Sequence, residues 1–168
     1  MPEKRNEQFK SIFWKIHPIL IAAIIAIASI FLPTAIMITK DGSATVFNLP
    51  LQTQIREGVF EVVFITMETE MGIMLPSIVT TLVFLGAGGG LLLLVALMKM
   101  VKKGDDNLLK TIILVAGLLT IFGSILHMNV WYLAGEGLWL RENVIWFIGL
   151  IGPWVAGGLA IMAFIFPR

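Results

Sequence analysis

Four apolar blocks divide the chain: Pro18 to Ile38, Met71 to Met100, Leu108 to Leu133 and Val144 to Phe166. An α-helix needs about 20 apolar residues to cross a hydrocarbon core of about 30 Å, and each block reaches that length. Proline falls inside three of them, at Pro33, Pro76 and Pro153. Within a bilayer such kinks are tolerated when neighbouring helices satisfy the freed carbonyls. The polar intervals are the N-terminal stretch, a long outer loop over 39–70, the tight turn KKGDDN (Lys102 to Asn107) and a short link around AGEGLWLREN. The pattern predicts an all-α membrane protein, a four-transmembrane-helix bundle forming one domain over 1–168.

Two intervals carry further pattern. Ahead of the first block, Phe9, Ile12, Phe13 and Ile16 recur at i, i+3, i+4 and i+7, with Arg5, Lys10 and Lys15 elsewhere on the helix. This reads as an N-terminal amphipathic helix lying in the membrane interface. The alternative is an extension of the first spanning helix into solvent. In the outer loop, SATVFNL (Ser43 to Leu49) and GVFEVVFIT (Gly58 to Thr66) are rich in β-branched and aromatic residues. They predict two strands joined by PLQTQIRE, a small extracellular β-element. Two strands alone are marginal, so a third partner is expected, either the 134–142 loop or a neighbouring molecule. A short interfacial helix over 55–66 is the competing expectation.

Composition fits this class: 58% of the 168 residues are hydrophobic and 14% are charged. Soluble domains carry about a quarter charged residues. Cysteine is absent, which excludes disulfides, thiolate nucleophiles and Cys-ligated metals. The first apolar run is too long for a signal-peptide core, so an uncleaved first helix is expected.

Charge sets the orientation. With the N-terminus, the 102–107 turn and the C-terminus on one side, that side holds Lys4, Arg5, Lys10, Lys15, Lys99, Lys102, Lys103, Lys110 and Arg168. The other side holds Lys40, Arg56 and Arg141. Lys and Arg favour the cytoplasm, so both termini are expected there, in the cell (plasma) membrane. The acids Asp41, Glu57, Glu61, Glu68, Glu70, Glu136 and Glu142 fall outside. They read as a solvated acidic face, with a divalent-cation or basic-partner surface as the alternative.

Candidate chemistry is sparse. His127 is the ionisable residue well inside a span, and its candidate role is haem ligation. The other histidine, His17, sits at the opposite depth, so Met128 or a partner subunit would have to supply a second ligand. The preferred reading is a hydrogen-bonded packing histidine, with no cofactor and no metal. Trp131, Tyr132, Trp139 and Trp146 bracket the second outer loop, where amphipathic rings mark headgroup level. GAGGG, Gly86 to Gly90, lacks the Lys-Ser/Thr of a phosphate loop. Small residues there permit close helix approach. Gly86, Gly88, Gly89 and Gly90 are therefore expected to pack helices or copies together. Helix three adds Ala116, Thr120 and Ser124, and helix four adds Gly149 and Gly157 on one row and Gly152, Ala156 and Ala160 on another.

No acid or base occupies the centre of a span, and no hydrolase or metalloprotease motif occurs. A non-enzymatic protein is expected, without nucleic-acid partners. Four spans, internal termini, a strand-bearing first outer loop and a shorter second one resemble the claudin and tetraspanin-like families. FLP (Phe31 to Pro33) and GLW (Gly137 to Trp139) are similar to claudin-type fragments. In claudins the GLW element lies in the first outer loop before a cysteine pair; here it lies in the second, with no Cys. The resemblance implies the layout alone. The expected role is a structural or scaffolding component that associates laterally with itself or other membrane subunits. Two alternatives stand beside it. One is an accessory subunit of a respiratory or oxidase-type complex. The other is a small channel or carrier for uncharged solutes, whose polar lining would come from Ser77, Thr80, Thr81, Thr111, Thr120, Ser124 and Asn129.

Overall fold

A computed structural model describes residues 2–39, 42–47, 49, 51–56, 58–65, 75–101, 104–135, 144–146 and 148–166. The chain is mostly helical, and four helices pack as a bundle. These are α1 (Pro2–Phe31), α2 (Leu75–Met100), α3 (Asp106–Gly135) and α4 (Ile148–Ile165). Each packs against the next, and α1 closes the ring on α4. Successive helices run antiparallel. Among the described residues, two helical segments are long and apolar enough to cross a membrane, Ile78–Met100 and Asp106–Leu126. His17–Phe31 and Ile151–Ile165 are shorter apolar helices.

The first helix differs from expectation at both ends. It is continuous from Pro2, so the amphipathic stretch is the first half of α1, as in the alternative of an extended first helix, and not an element of its own. At the other end it stops at Phe31, seven residues before the predicted Ile38. The cause is Pro33. Its ring disfavours helical backbone at Leu32 and it offers no N–H to the preceding turn. Beyond it, PTAIMIT is extended as β1 (Pro33–Thr39).

Four more strands complete an antiparallel sheet: β2 (Gly42–Phe47), β3 (Leu51–Arg56), β4 (Val59–Phe64) and β5 (Val144–Trp146). Their order is β4-β3-β2-β1-β5. The two expected strands are present as β2 and β4. PLQTQIRE is not a connector, however, because Leu51–Arg56 pairs on both sides, with Gln52 opposite Val46 and Val63. That pairing also excludes the interfacial helix over 55–66. Val144–Trp146, expected to open the fourth helix, instead pairs with Ala35–Met37. It thus supplies the additional partner the strands needed, just beyond the 134–142 loop.

The sheet caps one end of the bundle. Leu32 alone separates α1 from β1, Phe147 alone separates β5 from α4, and β1 packs on α4. The opposite end holds the start of α1, the turn between α2 and α3 and the end of α4. Gly104 takes φ +104° in that turn, left-handed backbone that glycine adopts without steric cost. Asp105 caps α3, its Oδ1 accepting the Asn107 N–H at 2.9 Å. The core nearest this end is Ile19, Leu92, Val95, Leu109 and Ile113 with alanines between them.

Candidate functional site

Much of the bundle's interior is small residues, packed beside larger side chains such as Ile78, Leu85, Leu92 and Ile113. Ala22, Ala23, Ala26, Ser29, Ala96, Ala116, Thr120, Ser124, Ala156 and Ala160 are all buried. Large apolar side chains also face outward: Ile24 and Phe31 on α1, Val83 and Leu97 on α2, Leu118 and Phe122 on α3, Trp154 and Met162 on α4 are exposed. In a helix stabilised by water, the wide apolar stripe faces inward and the outer face is polar. Here the outer face is apolar as well on all four helices.

The predicted glycines fall into two groups, and helical geometry explains the division. Consecutive residues are about 100° apart around a helix, so adjacent glycines face different neighbours. A methyl group added at Gly88 would lie 2.6 Å from Thr120 Cγ2 and 2.9 Å from the Ala116 carbonyl oxygen, against α3. One added at Gly89 would lie 2.9 Å from Ile27 Cγ1, against α1. Gly152 would meet the Ser29 hydroxyl of α1, and Gly157 the Gly117 carbonyl of α3 at 2.7 Å. Ala156 is fully buried between them. These positions hold the helices of one molecule together. Gly86 and Gly90 sit about opposite the Gly88–Gly89 doublet and meet nothing within 4 Å. They form a small-residue pair with four-residue spacing on the outer surface of α2.

Two contact glycines were not among the expected ones. Gly117 faces Gly157 reciprocally, its added methyl 3.1 Å from the Gly157 carbonyl, and Gly123 would meet Phe84 Cβ at 2.7 Å. Their signal was a three-residue spacing, Gly117-Thr120-Gly123, running beside the four-residue row Ala116-Thr120-Ser124. His127 and Gly149 lie in helical backbone, but their side-chain surroundings fall outside the described residues, as do those of Trp131, Tyr132 and Trp146. Trp139 lies outside the described residues altogether.

No protein-family model matches the chain, and no curated protein matches it.

Several helix hydroxyls, those of Thr80, Thr81, Thr111 and Thr120 in the candidate polar lining among them, donate to backbone carbonyls, while the side chains of Ser77 and Asn129 lie outside the described residues. Ser29 Oγ donates to the Ile25 carbonyl at 2.7 Å, and Thr120 Oγ1 to that of Gly117 at 2.8 Å. Thr81 Oγ1 crosses between helices to the Gly123 carbonyl at 3.1 Å. Thr80 and Thr111 bond back to carbonyls on their own helices. Thr81→Val keeps the shape and deletes this bond between α2 and α3. Interhelical bonds of this kind contribute about 0.6 kcal/mol, so the thermal midpoint in detergent should fall slightly. A rise would show that the hydroxyl is a burden to the bundle.

The second surface is the sheet's outer strand. β4 pairs with β3 alone, leaving its other edge open among the described residues. Phe60 is 64% exposed, Phe64 72% and Val62 54%, on one face of the strand, with exposed Ile55 opposite Phe60 on β3. A flat apolar edge of this kind invites pairing with another chain.

Proposed function

We propose that the chain is a four-span integral membrane protein of the plasma membrane, with both termini cytoplasmic. In this reading it is a non-enzymatic structural component that associates laterally with copies of itself. The observation that carries the proposal is the apolar exterior: large apolar residues stand on the outward face of every helix. Lipid tails solvate such an exterior, whereas water would leave it as one continuous exposed apolar surface. Packing supports spanning by α1 and α4. Both lie alongside the two long apolar helices over the same depth, with Gly89 against Ile27 and Gly117 against Gly157. The excess of basic residues at the end opposite the sheet supports its cytoplasmic placement.

Lateral assembly is supported by the two outward features, the Gly86/Gly90 pair and the open apolar edge of β4. A membrane holds copies at one height and in one orientation, so the same strand of two molecules meets without an orientational search. The claudin-like and tetraspanin-like layout belongs to this reading as well, now with a five-stranded sheet beyond the helices. Native mass spectrometry of protein extracted gently from its own membrane tests it. A mass at an integer multiple of 18.5 kDa is expected. Stoichiometric foreign chains would instead favour an accessory subunit.

A further inference from the structure

We infer that the end of the bundle opposite the sheet binds anionic phospholipid headgroups, through Lys99 of α2 and Lys110 of α3; this rests on the membrane reading above. Both lysines are half-buried. Apolar side chains lie level with them or further out. Met100, Val101 and Leu108 are exposed at this end, as are Ile165 and Phe166 at the end of α4. Past these lie the exposed Asp105, Asp106 and Asn107. Hydrocarbon must therefore extend to about Val101 and Leu108, leaving the lysine stems within it. Their ammonium groups then reach outward along the bundle to the headgroup level.

Over residues 99–110 the four lysines outnumber the two acids. Asp105 is engaged as the cap of α3, its carboxylate against the first-turn N–H groups, and Asp106 occupies the first turn itself. Lys102 and Lys103 follow in the sequence, and the antiparallel packing of α1 on α2 brings the backbone of Lys15 to the same level. Charge complementarity selects the occupant. Two lysines at the acyl–headgroup boundary, Lys99 and Lys110, match a lipid with net negative charge and gain little from a zwitterionic one.

The test uses the whole protein in a mild uncharged detergent, with phosphatidylglycerol, phosphatidylcholine or inorganic phosphate added at equal phosphate concentration. Phosphatidylglycerol should raise the thermal midpoint by about 4 °C more than phosphatidylcholine. The Lys99→Gln/Lys110→Gln variant should lose that difference while keeping its midpoint in detergent alone. Equal stabilisation by the two lipids, or an unchanged difference in the variant, overturns the inference. So does an equal shift with inorganic phosphate, which would indicate a free-anion site. Recovery of the protein in the aqueous fraction without detergent would overturn the membrane reading itself, a separate outcome.

Discussion

Gly88→Leu opens the bundle between α2 and α3. The site already leaves no room for a first carbon, 2.6 Å from Thr120 Cγ2 and 2.9 Å from the Ala116 carbonyl. Three further carbons must go somewhere, and Thr120 is itself buried and bonded to the Gly117 carbonyl. The only relief is separation of the helices. That also stretches the Thr81–Gly123 bond and the packing of Phe84 on Phe122, whose rings meet edge to face at 5.5 Å. Overpacking a well-filled interior costs about 1–3 kcal/mol, and here the obstacle is partly backbone, so the upper end is expected. The measurement is thermal denaturation in detergent, with Gly90→Leu as control because Gly90 faces open space. Gly88→Leu should lose most of its stability while still inserting, and Gly90→Leu should keep it. Equal midpoints for the two would refute the assignment of Gly88 to an internal contact.

That pair of variants also marks how far the sequence could be read. The helical segments were legible because each is a run of about 20 apolar residues, and no other feature competes with that signal. Their ends were not, since an apolar run does not distinguish helix from buried strand. Pro33 was visible, but it was read as a kink within a span, whereas it ends the helix and starts β1. Val144–Trp146 misled in the same way: three β-branched or aromatic residues continuous with an apolar block, yet paired with β1. β3 was present as strict alternation, Leu51, Thr53 and Ile55 against Gln52, Gln54 and Arg56. Flanking Pro50 and a high polar content made it look like a turn. Close approach is legible from the small residues of the glycine cluster, but its division between inward Gly88 and Gly89 and outward Gly86 and Gly90 depends on which neighbours α2 has.

Phe60→Lys combined with Val62→Lys should break the assembly into single copies. Both residues are exposed on one face of β4, so neither substitution removes a buried contact within the molecule, and the bundle should keep its thermal midpoint. The effect falls on whatever covers the strand. Burying a large apolar side chain contributes about 1.5–3 kcal/mol; losing two, even at the lower estimate, weakens association by at least about a hundredfold. Lysines on an edge strand also oppose pairing directly, since two copies would bring like charges together. Native mass spectrometry should then record 18.5 kDa as the main species, where the unmodified chain gives a multiple. The paired variant Gly86→Leu/Gly90→Leu separates the alternatives within the bilayer, because its bulk lies on the outer face of α2. If that variant dissociates the copies and the lysine variant does not, the contact runs helix to helix among the lipid tails. If the lysine variant alone dissociates them, β4 carries the contact above the membrane, where an open edge and three large exposed side chains offer both hydrogen bonds and apolar area.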